Sequence, residues 1–350
     1  MPASDVLDAS IRINDTRLPP EAWSDVRSLS VQEDLDAISM FALELYNWDD
    51  RLLTFPWSES PLFAVGNEVE ISLGYVDDLH PVMVAEIISL EPRFASGELP
   101  MLTVRGYDHR HRLARGRKTR VFQQMADSAI AEQVAREAGL SSAVTETDIK
   151  HSYVLQSNQS DLDFLQQRAR RIGYEVFARD KVLYFRPPQH TAAPTVTLEL
   201  GEEITEFSPR LSSQSQVGEL AVRGWDVKQK QVIVGKATVG QETSTGSGSS
   251  GPRAARQAFG GSSTASVDLP VHTVAEADAI ARGRFDDIAL DFVRGDVVAD
   301  GQPQVHAGTV VTIDGVGDRF SGPYYVTSVT HSLTAEQGYQ TTLSVQRNSA

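Results

Sequence analysis

One strand pattern occurs twice in this chain, separated by most of its length, and that repeat constrains the fold more than any other feature. The segment from Gly66, GNEVEISLGYVDDLHPVMVAEIISL, recurs from Gly308 as GTVVTIDGVGDRFSGPYYVTSVTHS. At a fixed offset of 242 residues, Gly66 aligns with Gly308, Val69 with Val311, Ile71 with Ile313, Pro81 with Pro323, Val84 with Val326 and Ile87 with Val329. A one-residue slip then aligns Gly97 with Gly338, Leu102 with Leu343 and Val104 with Val345. Period-two alternation of apolar residues marks strands, and the recurring Gly and Pro mark turns between them. A strand, a turn, a long strand, a turn and a last strand therefore occur twice in one order, which predicts an internal duplication.

Between the two copies the period changes. Phe122, Met125, Ala126, Ala129, Ile130 and Val134 recur at helical spacing up to Gly139. Ser160, followed by Asp161, Leu162 and Asp163, predicts an N-cap with acidic first-turn residues, and Leu165, Ala169 and Ile172 continue that helix. YEVFARDKVLYF adds two short strands closed by Pro187 and Pro188, so 107–188 reads as an α/β unit inserted between β-rich parts. The flanking parts are 1–106 and 189–350. The second is interrupted by a Gly/Ser-rich stretch at 240–264, expected to be a flexible loop, and by a helix at 274–292 opened by Thr273 and Glu276 in capping-box spacing.

Charge divides the chain in a similar way. Met1 to Val104 holds five basic and 19 acidic residues, whereas Arg105 to Arg120 holds seven basic residues and one acidic. Over the full 350 residues, 32 Lys and Arg stand against 47 Asp and Glu, a net charge of −15. This balance disfavours the broad phosphate-neutralising surface of a duplex nucleic-acid binder. There are no cysteines, so disulfides, thiolate nucleophiles and cysteine zinc sites are excluded. The first residues lack the basic start and apolar run of a secretory signal, and no run of about 18 apolar residues predicts a membrane span.

Three ordered stretches, QSNQSDLDFLQQRARRIGYEVFARDKVLYFRPP, VRGWDVKQKQVIVGKA and GPYYVTSVTHSLTAEQGYQTTLSVQR, resemble the baseplate hub family of contractile tails. That family includes the phage late control protein D group, the T4-type hub and the N-terminal hub part of the type VI secretion VgrG spike proteins. The resemblance runs from about Phe41 to Arg347 and rests on no short catalytic motif. It implies a mainly β fold of two tube-protein-like β-barrels with an α/β insertion, assembled as a homotrimer. It further implies a symmetry adaptor with no cofactor, whose partners are its own copies, a tail tube protein, a spike protein and baseplate wedge proteins. Such a protein would be assembled in the bacterial cytoplasm and incorporated into a phage tail or injection particle. The sequence ends at Ala350 with no OB-fold or β-helical needle pattern, so the resemblance implies either a separate spike chain or a shortened one.

The basic stretch supplies the candidate interface residues: Arg110, Arg112, Arg115, Arg117, Lys118 and Arg120. Arg forks dock carboxylates in paired geometry, so these six are expected to meet an acidic surface of a neighbour. No catalytic, cofactor or metal residues are assigned. His109 and His111 are interleaved with Arg110 and Arg112 and no third ligand is evident, Asp49 and Asp50 read as a solvated loop tip, and GxSxG, HExxH and P-loop motifs do not occur. His331 reads as a packed histidine, and Trp225 as a core or interface anchor. The other functional classes left open by the residues are a β-rich carbohydrate or cell-surface binding module and a hub-associated cell-wall hydrolase.

Overall fold

The structure is a computed structural model describing residues 7–246, 248–267 and 270–350. The start of the expected 1–106 unit, one residue of the Gly/Ser-rich stretch and residues 268–269 thus lie outside the described residues. The first part contains β1 (Leu7–Ile13), β2 (Thr16–Arg17), α1 (Pro20–Asp25), β3 (Val26–Asp34), β4 (Met40–Tyr46), β5 (Glu68–Tyr75), β6 (Asp78–Arg93) and β7 (Met101–Tyr107). The middle part contains α2 (Arg110–Ala114), β8 (Lys118–Phe122), β9 (Met125–Ala126), α3 (Asp127–Glu137), β10 (Ser141–Val144), β11 (Lys150–His151), β12 (Val154–Gln159), α4 (Asp161–Arg171), β13 (Glu175–Arg179) and β14 (Val182–Arg186). The last part begins with β15 (Val196–Glu199), β16 (Ile204–Leu211), β17 (Glu219–Asp226), β18 (Gln231–Thr238), α5 (Gly251–Phe259) and β19 (Ser263–Ser266). It ends with α6 (Val274–Leu290), β20 (Val293–Asp300), β21 (Val310–Asp314), β22 (Gly322–Thr334) and β23 (Gly338–Arg347).

Thirteen strands form one sheet, and its pairing contains the same order twice. The first unit runs β3-β4-β7-β6-β5-β1; the second runs β16-β20-β23-β22-β21-β15. Only the last pair differs in direction, β1 being antiparallel to β5 and β15 parallel to β21. Two β-bulges recur at matching places. Ile88 bulges from β6 against β7, as Thr327 bulges from β22 against β23. Arg27 bulges from β3 against β4, as Thr205 bulges from β16 against β20. A bulge fixes register because it interrupts the ladder at one defined residue, so these four positions set the structural alignment of the two units.

That alignment corrects part of the sequence repeat. Val69 and Ile71 on β5 do correspond to Val311 and Ile313 on β21, but on the long strand Ile87 corresponds to Val326 rather than Val329. On the last strand Val104 corresponds to Leu343, not Val345. Alternating valines and isoleucines tolerate a slip that the bulges do not. One rung also reverses its filling: Phe41 faces Gly106 in the first unit, and Gly295 faces Val345 in the second. A Cβ on Gly106 would lie 2.2 Å from the Phe41 ring, so a large side chain on one strand requires its absence on the other.

Apolar residues of each unit form a separate core. Ile11, Leu29, Val31, Phe41, Leu43, Val69, Ile71, Ile87 and Val104 fill the first, and Leu198, Val297, Val311, Ile313, Val326, Val329 and Leu343 the second. The units are joined edge to edge, with the C-terminal half of β22 pairing β3 from Ser328–Asp34 to Thr334–Ser28. Closed barrels are not described by this pairing: the path ends at β16 and β2, which are not paired with each other among the described residues.

The expected helix with Phe122 and Met125 on its face starts later, at Asp127, because those two residues lie on β8 and β9, paired to β12 and β11. Ser160 caps α4 as expected, its hydroxyl accepting from the Asp163 amide at 3.1 Å, and Thr273 caps α6 by accepting from the Glu276 amide at 3.1 Å. The stretch 240–264 is not simply a loop. It contains α5 and the start of β19, and Thr245 is buried, bonded through its amide and hydroxyl to Asn348 at 2.9 and 2.8 Å. The strands β17, β18 and β19 form their own sheet, covered by α6 through Leu220, Val222, Ile233, Ala277, Ile280 and Phe285, rather than extending the second unit. Trp225 is 55% exposed, which removes its core reading.

The middle part packs on this subdomain at two glycines. Gly173 ends α4 at φ +68°, a conformation side chains resist, and a Cβ on Gly283 of α6 would lie 2.4–2.6 Å from backbone atoms of Ile172 and Gly173. Alanine at Gly283 would improve intrinsic helix propensity by about 1 kcal/mol but force the two helices apart. Gly283→Ala is therefore expected to lower stability by about 2 kcal/mol in urea unfolding, with no gain from propensity visible.

Candidate assembly surfaces

The basic stretch begins where β7 ends and turns through α2 into β8, and the structure separates its six candidate residues. Arg110 is 1% exposed. Its Nε and Nη2 donate to Asp108 at 2.9 and 2.7 Å, and Nη2 also donates to the Asp34 carbonyl and the Ser39 hydroxyl, both at 2.9 Å. Nη1 reaches the carbonyls of Leu35 at 3.3 Å and Val176 at 3.4 Å. Asp108 in turn accepts from the Ser39 and Arg110 amides at 2.9 and 2.7 Å. Arg110 is thus a correction to the interface expectation. Its guanidinium fastens the β3–β4 turn to β13 and has no face left for a neighbour.

Three more of the cations are held within the chain. Arg112 forms a paired contact with Glu86 at 2.6 and 2.9 Å, and His111 meets the same carboxylate at 2.5 Å. The hydrogen bond from Arg112 outweighs burial and lowers the Glu86 pKa to about 2. Lys118 and Arg120 reach Asp161, in the first turn of α4, at 2.6 and 2.8 Å; Arg120 also bonds Gln156 at 2.7 Å and Glu137, and its guanidinium lies 4.9 Å from the Phe122 ring centre. These contacts fix β8 against α3 and α4. Arg117 is exposed and donates to the Asn158 carbonyl at 2.8 Å, while Arg115 is exposed with no ion pair among the described residues. Arg112 and Lys118 are exposed too, but of the six candidates only Arg115 and Arg117 are without a carboxylate partner among the described residues.

Alternating charge in the sequence concealed a second network. Asp127 at the start of α3 accepts from Arg168 at 2.6 and 3.0 Å and lies 3.1 Å from His151; Arg171 reaches Glu276 of α6 at 2.6 Å. The network ties the middle part to the subdomain around α6. Glu175 on β13 accepts the Tyr325 hydroxyl of β22 at 2.6 and 2.8 Å, and burial raises its pKa to about 7. His331 on β22 is fully buried beside Tyr339, 2.9 Å from its hydroxyl, and burial lowers its pKa to about 4. Asp49 closes a turn, accepting the amides of Arg51 and Leu52 at 2.8 and 3.0 Å.

Beside that turn is an apolar tip that charge reading missed. Leu52 and Leu53 are about 70% exposed (72% and 70%), and Phe94 and Leu99 are each 57% exposed. Phe55 packs between Trp48 and Phe94, with ring centres 5.5 and 4.8 Å apart. Apolar groups gathered at one exposed tip mark a contact surface more strongly than scattered ones. Among the described residues, no helix is long and apolar enough to cross a membrane, and no group of three or more His, Asp or Glu is placed to hold a metal ion.

The family described as Alg8 N-terminal domain matches the chain over residues 3–335. The chain belongs to the Alg8 N-terminal domain family. Among solved structures, this family member is similar to the 43 kDa tail protein of prophage MuSo2 from Shewanella oneidensis, at TM-score 0.72 and 14% identity, covering 97% of this chain and 98% of that one. A tail protein from Neisseria meningitidis MC58 gives TM-score 0.71 at 12% identity, covering 98% and 97%. The E. coli c3393 protein gives TM-score 0.64 at 14% identity, covering 97% and 77%; it is a type VI secretion component with structural similarity to the T4 tail proteins gp27 and gp5. No curated protein matches the sequence. The Alg8 N-terminal domain family member therefore has the fold of these tail proteins over nearly its whole length.

Two outcomes test the buried groups. Arg110→Gln leaves Asp108 buried without its cation and is expected to cost about 3–5 kcal/mol in urea unfolding, whereas Arg115→Gln and Arg117→Gln should stay within about 0.5 kcal/mol. For Glu175 the folded pKa lies above the unfolded value of 4.5, so its contribution is full below about pH 4.5 and is lost as pH rises through about 7. Glu175→Gln should therefore match the parent near pH 4.5 and exceed it at pH 8, by up to about 3 kcal/mol, in thermal or urea unfolding.

Proposed function

We propose that the chain is the structural hub of a contractile tail or injection machine, a symmetry adaptor between a tail tube of sixfold symmetry and a threefold spike. The observation that carries this reading is the six-strand order found twice, with bulges at matching positions. Three copies of a chain with two such units present six similar surfaces, which suits a hexameric ring on one side and a trimer on the other. The likeness of fold to phage tail proteins and to a type VI component supports the same reading.

In this reading the two units are duplicated tube-like domains closing a ring with their counterparts. The middle part and the α6 subdomain lie outside that ring, where wedge proteins dock. Arg115 and Arg117 are the cations available for an acidic partner, and the apolar tip at Leu52, Leu53, Phe94 and Leu99 is a second docking point for the tube or spike.

The test is particle mass and symmetry. Light scattering at assembly concentrations should give three times the chain mass, and electron microscopy should show a ring with six similar lobes. A stable monomer or dimer, or two units that do not superpose, overturns the proposal.

A further inference from the structure

Strand β17, in the small sheet under α6, is paired along its whole length on one side and along half of it on the other. β18 accompanies it from Glu219 to Asp226, whereas the pairing with β19 ends at Val222–Ser266. The Glu219 amide donates to the Ser262 carbonyl at 3.1 Å on the β19 side. Alternation then turns the backbone groups of Ala221, Arg223 and Trp225 to that side, and those of Trp225 lie past the end of β19. The opposite edge of the sheet is treated differently. There the Lys236 amide of β18 donates to the Asp278 carboxylate at 3.0 Å and the Thr238 amide to the Gln241 side chain at 2.7 Å, which occupies groups that another strand would use.

A groove of about 750 Å³ lies beside the uncovered half of β17, with Trp225 and Lys228 on the strand side and Val267, Pro270 and His272 also lining it. Val271 packs over Gly224, where a Cβ would lie 2.2 Å from the valine side chain, so the groove is seated on the core of the subdomain. Trp225 faces Val232 across the ladder, and the two are 55% and 58% exposed, with Val267 at 72% and Val227 at 77%. Arg223, Lys228 and Lys230 are exposed and carry no ion pair among the described residues, in addition to Arg115 and Arg117. Asp226, the acid among the described lining residues, is committed to its own turn, accepting the Lys228 and Gln229 amides at 2.8 and 3.0 Å.

From this juxtaposition we infer that the groove takes an extended, acidic segment of a partner protein, which adds to β17 as a short strand beside Trp225. Main-chain hydrogen bonds to the open edge hold such a segment, and its alternate side chains read the walls. Arg223 and Trp225 share one face of β17, so a carboxylate and an apolar residue two positions apart on the segment meet them together. Lys228 and Lys230 extend the basic field past the end of the strand, within a chain whose net charge is −15. A sugar ring stacks on an exposed Trp, but it offers no backbone to a strand edge and little to the surrounding valines. The inference goes beyond the hub reading and does not depend on it, since this sheet is separate from the one that contains the two duplicated units.

The test is selection of a ribosome-displayed library of random octapeptides on the immobilised full chain. Enriched peptides should alternate Asp or Glu with Val, Ile or an aromatic residue. The best of them, made with a fluorescein label, should bind Trp225→Ser about tenfold or more weakly, while the unfolding midpoint of that variant stays in place because the side chain is exposed. N-methylation of alternate amides on one edge of the peptide should abolish binding, and methylation on the other edge should leave it intact. Selection on the double variant R223E/K228E should enrich basic peptides instead. Enrichment without acidic alternation, equal enrichment on Trp225→Ser, or equal binding of both N-methylated forms overturns the inference. So does a labelled polyuronate hexasaccharide that binds through Trp225 more tightly than the peptide. A chain that assembles as a trimer yet fails the selection overturns this site and leaves the hub reading standing.

Discussion

Antiparallel pairing between β3 and β22 holds the molecule together. Without it the chain would be two six-stranded units with separate cores, each exposing a row of unpaired backbone groups along an edge. The pairing extends over seven rungs, from Ser328–Asp34 to Thr334–Ser28, and polar contacts lock its end: the Ser328 hydroxyl donates to the Glu33 carbonyl at 3.0 Å, and Glu33 bonds His306 at 2.7 Å. Buried carboxylates persist only with such partners, and His306 holds Glu33 in its charged form against the effect of burial. Because β22 is much longer than β21, one strand can serve its own unit with its first half and the other unit with its second.

The parts outside the sheet are secured differently, by buried ions rather than by strand pairing. Arg110 gathers carbonyls from the β3–β4 turn and from β13 around one guanidinium neutralised by Asp108. Asp127, Arg168, Arg171 and Glu276 do the same between the middle part and α6. Ion pairs of this kind add little net stability over apolar packing, but they are intolerant of displacement, since moving one partner strands the other. They therefore orient peripheral elements on a sheet whose own position is fixed by its ladder.

How much of this could be read from the sequence depended on whether a signal was local. The caps at Ser160 and Thr273 act within three residues, and both helices start where those residues indicate. The match of β5 with β21 was legible because Gly66 and Gly308 both turn into the strand at positive φ. The register of the next two strands was not, since alternation of Val, Ile and Leu repeats every two residues and a bulge leaves no compositional mark. Phe122 and Met125 fall at helical spacing in the sequence although they lie on strands, because short strands paired to distant partners carry no local period of their own. The candidate site failed most clearly at Arg110. Its charge was visible, but the four carbonyl and carboxylate groups that bury it come from Asp34, Leu35, Asp108 and Val176, and only folding brings them together.

The joining strands are also far apart in the chain: the Ser328–Glu33 contact spans 295 residues. β3 leaves the ribosome early and β22 among the last elements. At about 5–20 residues per second, the edge that β22 will cover stands open for roughly 15–60 seconds of synthesis. During that interval β3 presents the same kind of surface that strands of neighbouring nascent chains could occupy. Polysomes translating this message place several such edges close together, so the spacing of ribosomes and the speed of the last third of translation bear directly on whether the sheet closes within one chain or between two.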